Sequence, residues 1–209
     1  MGKRLFQRAM IKLWRLAVPC VTLRVGEKRV RVSGNNLKPA ALLTWKYGWM
    51  AELIHRVLAE DEGDFIDIGA NVGQTLLDFQ AAGVMGRYVG FEPNPSSYAS
   101  VSTLMRENSF PRCLILPVGL ADRFSILNLY SAIGATTDSG ASLDPHLQGD
   151  RELRHSQIIC CRFDDLRVHL GIASIGLIKI DVEGAENLVL RGMEATLDRR
   201  HLELPVNDN

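Results

Sequence analysis

Residues 65–73 read Phe65-Ile66-Asp67-Ile68-Gly69-Ala70-Asn71-Val72-Gly73. A short apolar run that carries one carboxylate and stops at a glycine has the pattern of a buried strand followed by a tight loop. Residues 74–82 behind it read as a helix, and the alternation then repeats. Residues 87–91 and 113–118 are predicted strands. Between them, residues 96–108 form a helix with Tyr98, Val101, Leu104 and Met105 on one face. Residues 175–182 are a further buried strand. A single final helix over 185–197 follows, with Leu188, Val189, Met193 and Leu197 inward. Strand and helix alternating at this pitch imply right-handed βαβ units, hence an α/β fold with a mostly parallel sheet flanked by helices.

Upstream of this unit, Trp49, Met50, Leu53, Ile54, Val57 and Leu58 fall at the spacings of a buried helical stripe. Residues 22–32 read as two short strands around Gly26-Glu27. Residues 2–17 are predicted to be an amphipathic helix with Arg4, Arg8, Lys12 and Arg15 on one stripe and Phe6, Ala9, Met10, Leu13 and Trp14 on another. A helix laid against the domain is the preferred reading of that segment; the alternative is weak membrane-surface or partner contact through residues 2–17. Downstream, residues 124–130 and 158–161 are strand-like and 164–171 a short helix. Residues 131–156, rich in Gly, Ser, Thr and Asp, read as a long loop or lid.

The chain's 209 residues suffice for one domain with a substantial core. The organisation expected is a basic N-terminal segment over 1–48 and a main domain over 49–209. Net charge is zero, yet residues 1–31 hold nine Lys or Arg against the single Glu27, leaving the remainder mildly acidic. That remainder lacks the basic patches and interleaved aromatics of a nucleic-acid binder. Cys20, Cys113, Cys160 and Cys161 show no metal-ligand or redox spacing. With no apolar run near the ~20 residues of a membrane helix, and only a short, proline-interrupted stretch at 16–23, a reducing cytoplasm is the expected setting.

Ligands of open α/β sheets bind beyond the carboxyl ends of the strands. The loop at 69–73 differs from a dinucleotide fingerprint: Gly69 and Gly73 are four apart, Asn71 stands where the middle glycine would, and Asp67 precedes them. A carboxylate is awkward beside a diphosphate and suits a cation. S-adenosylmethionine, which carries an ammonium and a sulfonium, fits that chemistry; Asp67 can also orient the loop through hydrogen bonds. Glu92, 19 residues past Gly73, ends the second strand where a carboxylate can accept ribose hydroxyls.

A second acidic motif follows the strand at 175–182. If the extended conformation persisted, Lys179, Asp181 and Glu183 would share one face, and Glu186 would sit in the first turn of the final helix. Asp181 and Glu183 lie at the carboxyl end of the sheet, where a carboxylate can take a proton from an acceptor, and they are the candidate catalytic carboxylates. Lys179 reads equally as an ion-pair partner. Two carboxylates this close can also hold a divalent cation with substrate oxygens, but no third ligand is identifiable, so no metal site is assigned.

The segments 65–73, Gly-Phe-Glu-Pro-Asn-Pro (90–95), Phe-Asp-Asp-Leu (163–166) and Ile-Lys-Ile-Asp-Val-Glu-Gly-Ala-Glu (178–186) together resemble the FkbM family of methyltransferases over roughly residues 63–197. The resemblance implies the Rossmann-like fold of class I methyltransferases, S-adenosylmethionine as cofactor, and O-methylation of a sugar or secondary-metabolite hydroxyl. It implies that Asp67, Gly69, Asn71, Gly73 and Glu92 hold the cofactor and that Asp122, in Gly-Leu-Ala-Asp, lies near the adenine. Residues 198–209 offer only His-Leu-Glu-Leu-Pro-Val before a polar end, and Pro205 argues against a long central strand. C-terminal strands are therefore expected to be short or missing. The alternative function is a C-terminally truncated, non-catalytic cofactor-binding remnant whose basic N-terminal helix makes membrane or partner contact.

Overall fold

The computed structural model describes residues 20–33, 42, 46, 48–60, 63–133, 141–144, 146 and 152–198. The expected helix at 2–17 and the shortened C-terminal strands lie outside those residues. Two strands, β1 (Cys20–Val25) and β2 (Lys28–Ser33), precede helix α1 (Trp49–Leu58). Then come β3 (Asp64–Ile68), α2 (Gln74–Ala82), β4 (Tyr88–Phe91), α3 (Pro95–Asn108) and β5 (Cys113–Leu116). The chain continues through β6 (Gly119–Leu120), β7 (Ser125–Ala132), β8 (Leu153–Cys161), α4 (Phe163–His169), β9 (Ile175–Ile180), α5 (Glu186–Arg191) and α6 (Glu194–Leu197).

The central sheet runs β5-β4-β3-β9 with every pair parallel. Counted from β3 as the first strand of the unit, the order is third, second, first, fourth, which is that of a Rossmann-like sheet. Its switch point lies between β3 and β9, where such sheets bind ligands. Alternation along β3 divides the core in two. Phe65 joins Tyr88, Leu76, Leu77, Val101 and Leu104 on the face covered by α1, α2 and α3, while Ile66 and Ile68 join Phe91, Phe163, Val189 and Met193 on the other. Asn94 caps α3 by accepting from the Ser96 and Ser97 N–H groups, with Pro95 at the first helical position.

The hairpin β1–β2 shares the first of these clusters, since Val25, Val30 and Val32 lie in it. Its outer edge is finished by Asn108, whose side chain accepts from the Arg31 N–H at 2.6 Å and donates to the Arg31 carbonyl at 2.8 Å.

Several expectations need correction. On α1, Ala51, Ile54 and Leu58 are buried, but Trp49, Leu53 and Val57 are 73%, 39% and 38% exposed. Two apolar stripes run along this helix, and only one meets the sheet. A three-stranded sheet, β6-β8-β7, stands beside the parallel one, with β7 and β8 antiparallel and β6 parallel to β8. It takes residues 131–132 and 153–156 out of the expected loop. Arg154, His155, Ser156 and Gln157 extend a half-exposed antiparallel hairpin, and a strand with a wet face carries no apolar run to announce it. The final helix is two helices. A Cβ at Gly192 would strike the carbonyl of Ala121, the residue after β6, so the chain breaks there to let the two backbones approach.

Candidate active site

A cleft opens at the carboxyl ends of β3, β4 and β9, roofed by the three-stranded sheet. Its polar side is Gly69, Asn71, Glu92, Asp181 and Glu183; its apolar side includes Val118, Leu120, Leu129, Leu143 and Ile158. Among the described residues lining it there is no lysine or arginine.

The loop after β3 is built by close backbone approach. The Gly69 and Ala70 N–H groups both donate to the Phe91 carbonyl, at 3.0 and 3.1 Å, and the Asp181 N–H donates to the Ile68 carbonyl at 3.0 Å. Gly69 has φ +87°, and a Cβ there would collide with the Asp181 carbonyl oxygen. Only glycine satisfies both conditions. Asn71 is left-handed as well, with φ 48°, which asparagine tolerates better than most residues. Its N–H donates to Glu92 Oε2 at 2.7 Å, and the Asn94 N–H donates to Glu92 Oε1 at 2.8 Å. Glu92 is 7% exposed, so these bonds fix a buried carboxylate at the cleft wall. The Ser97 hydroxyl reaches Asn71 Oδ1 at 3.3 Å.

Asp67 is placed differently from the expectation. It shares the strand face of Phe65, opposite to Ile68 and Phe91, which line the cleft. Fully buried, it accepts from the Tyr88 hydroxyl at 2.6 Å and from Lys179 Nζ at 3.0 Å. Lys179 lies opposite Asp67 in the parallel register and also donates to the Gly69 carbonyl at 3.3 Å. Its ammonium pairs with Asp181 Oδ2 at 3.5 Å. Burial and the adjacent Asp67 carboxylate push the Tyr88 phenol well above its usual range, so it stays a donor. Of the two roles open to Asp67, the geometry matches loop orientation.

Gly73 does not line the cleft either. It is the left-handed N-cap of α2, at φ 99°, and its bare backbone packs on Val101 and Leu104. Asp122 pairs with Arg123 at 3.5 Å and is not among the lining residues.

The acidic motif does not remain extended. β9 ends at Ile180, and Glu183 turns left-handed with φ 50°, followed by Gly184 at 98°. Asp181 and Glu183 therefore reach the cleft from a turn and are both exposed, while Lys179 lies beneath on the Asp67 side. Glu186 opens α5 as expected. Its carboxylate is held below the usual range chiefly by its own backbone N–H, against the effect of burial, with help from the Gly184 and Val182 N–H groups.

Two contributors were not legible in the sequence. Tyr88 reaches Asp67 across Gly90, where a Cβ would crowd the Tyr88 ring and Ile115; the glycine inside this strand was the available signal. Ser142 donates to the Glu183 carbonyl at 2.7 Å from 41 residues away, and no local pattern marks such a contact. Among the described residues no group of three or more His, Cys, Asp or Glu is arranged to hold a metal ion, and no helix is long and apolar enough to cross a membrane.

Comparison with known proteins gives this geometry its context. The family model described as the methyltransferase FkbM domain matches residues 67–205. The 2-O-methyltransferase NoeI of Sinorhizobium fredii (strain NBRC 101917 / NGR234) is 29% identical over 162 residues, covering 70% of this chain. The chain spans 65% of the length of that relative. Among solved structures, Pyrococcus horikoshii TYW2 in complex with MeSAdo aligns with a TM-score of 0.32 and 9% identity, over 49% of this chain and 37% of that one. Protein PH0793 from Pyrococcus horikoshii aligns with the same TM-score, identity and coverage. The match of the family model across most of the chain places this protein in the FkbM methyltransferase family.

Proposed function

We propose that the protein transfers a methyl group from S-adenosylmethionine to a hydroxyl of a sugar or secondary metabolite. One observation carries this reading. The switch-point cleft is lined by three carboxylates, Glu92, Asp181 and Glu183, opposite an apolar wall, with no cationic side chain among its described lining residues. That chemistry suits a cationic nucleoside whose base has a flat aromatic face, and it disfavours a diphosphate. The oxygen acceptor is supported by the 2-O-methyltransferase relative.

When bound, S-adenosylmethionine supplies an electrophilic methyl group on its sulfonium. Glu92, locked by two backbone N–H groups, would accept the ribose hydroxyls. The backbone at Gly69 and Asn71 would lie along the amino-acid portion. The apolar wall at Val118 and Leu120 would take the adenine. Asp181 and Glu183 stand at the remaining side of the cleft, where one of them receives the acceptor hydroxyl's proton. Holding the acceptor oxygen in line with the methyl supplies much of the acceleration.

S-adenosylhomocysteine tests cofactor binding without knowledge of the acceptor. At a hundredfold excess over Kd it stabilises the folded state by about 2.7 kcal/mol. For a chain of this size that is a Tm rise of roughly 5–10 °C. Glu92→Gln is expected to weaken binding roughly tenfold to a hundredfold, as loss of a charge-assisted hydrogen bond does, and to lower Tm in the absence of ligand, because its amide NH2 faces one of the two backbone N–H groups the carboxylate accepts. Absence of any shift with the wild-type protein would refute the reading. Incubating a cell extract with methyl-labelled cofactor then identifies the acceptor by the fraction that gains label.

A further inference from the structure

Residues 141–144 form a short strap that lies beside β7 along the cleft. Ser142 pairs with Tyr130 of β7 in an antiparallel bridge, its N–H donating to the Tyr130 carbonyl at 3.0 Å and its carbonyl accepting from the Tyr130 N–H at 2.8 Å. Extended backbone sends neighbouring side chains in opposite directions. Ala141 and Leu143 line the cleft, and Ser142, only 1% exposed, turns to the acidic motif. Its hydroxyl donates to the Glu183 carbonyl at 2.7 Å and accepts from the Asp144 N–H at 3.0 Å, so donor and acceptor roles are both engaged.

The Glu183 carbonyl belongs to a residue in the left-handed region without being glycine. Such a conformation persists when its surroundings over-determine it. The Asp181 N–H on the Ile68 carbonyl secures the start of the turn, and the Glu186 carboxylate on the Gly184 N–H secures its end. At Glu183 the contact that comes from outside the motif is the Ser142 hydroxyl.

We propose that Ser142 is a positioning residue that fixes the turn carrying Asp181 and Glu183 against the acceptor side of the cleft. Through the same strap it sets the turn's distance from the wall made by Ala141 and Leu143. This rests on the proposed role of the two carboxylates. The strap thereby ties the Ala141 and Leu143 surface to the groups that take the acceptor's proton, so that misplacing one misplaces the other.

The test compares wild type, Ser142→Ala and Ser142→Thr in two assays. Binding of S-adenosylhomocysteine is measured by calorimetry. Transfer from methyl-labelled S-adenosylmethionine to the labelled extract fraction is measured across a range of that fraction's concentration, at saturating cofactor. Ser142→Ala is expected to lower kcat about tenfold, the effect of one hydrogen bond, with KM changed less than threefold and the S-adenosylhomocysteine Kd unchanged. Ser142→Thr, which keeps the hydroxyl, is expected to recover most of kcat. An alanine variant with wild-type kcat overturns the proposal, as does one that loses cofactor affinity in proportion to rate. A threonine variant as slow as alanine overturns it too. If the wild-type protein fails to bind S-adenosylhomocysteine, the methyltransferase reading itself falls and this inference with it.

Discussion

The turns that leave β3 and β9 are built to a similar backbone plan and held in place by different means. Each follows a parallel strand, contains a left-handed residue other than glycine, and passes through a left-handed glycine before a helix: Asn71 and Gly73 in the first, Glu183 and Gly184 in the second. The first turn rests on a buried assembly in which Tyr88 and Lys179 converge on Asp67, and Lys179 also reaches the Gly69 carbonyl. The second is more exposed: the Asp181 N–H holds its start on Ile68, Lys179 reaches Asp181 from beneath, and beyond these it is pinned by one carboxylate of its own and one hydroxyl from a distant strap. On the proposed reading the first turn grips the cofactor, and a buried foundation keeps it rigid. On the same reading the second turn meets the acceptor, and its position is set by a contact from 41 residues away.

Removing Lys179 breaks the comparison most severely. Its side chain is 16% exposed and that of Asp67 is fully buried, so Lys179→Met leaves a buried carboxylate without its cation. Breaking a buried pair on one side costs about 3 kcal/mol or more, which urea titration will register. Asp67→Asn combined with Lys179→Met should cost less than the two single changes added together. Simple additivity in that cycle would show that the first turn does not stand on this pair.

A smaller effect separates the glycines. Gly69→Ala meets both a positive φ and the Asp181 carbonyl, whereas Gly83 at φ +68° faces open space. The left-handed conformation alone costs about 1 kcal/mol or more at each position. The collision at position 69 adds to this and moves β3 and β9 apart. Gly69→Ala should thus lower Tm more than Gly83→Ala, and it alone should abolish S-adenosylhomocysteine binding. Equal losses of stability would mean that the close approach of the two turns is dispensable.

The same contrast explains what could be read from the sequence. β3 and β4 were legible because strands buried on both faces leave nearly continuous apolar runs, and β5 and β9 because theirs are apolar although only partly buried; Gly69, Asn71 and Glu92 were legible because their positions after those strands are local. Asp67 was legible as the carboxylate of this motif, with cation contact and loop orientation both open: Ile66 and Ile68 alternate with it, and that alternation puts Asp67 on the side away from the cleft. The polar half of β8 was missed because Arg154, His155 and Gln157 are exposed there. Ser142 had no local signature at all, since its partner is 41 residues away.

The least of the expected effects concerns the end of the second turn. Glu186 titrates below the usual carboxylate range, held there first by its own N–H and then by those of Gly184 and Val182, against burial. A carboxyl group whose folded pKa lies below its unfolded value of about 4.3 contributes stability that is present above that value and lost as pH falls through the folded pKa. The side chain is partly exposed, so the contribution is about 0.5 kcal/mol, in the range of a charge at a helix N-terminus. Urea titrations of wild type and Glu186→Gln should accordingly differ at pH 7 and converge as the pH approaches 3. A constant difference across that range would mean that the charge does not hold the turn, leaving Ser142 to do so; convergence assigns the two ends of the turn to separate residues that can be altered one at a time.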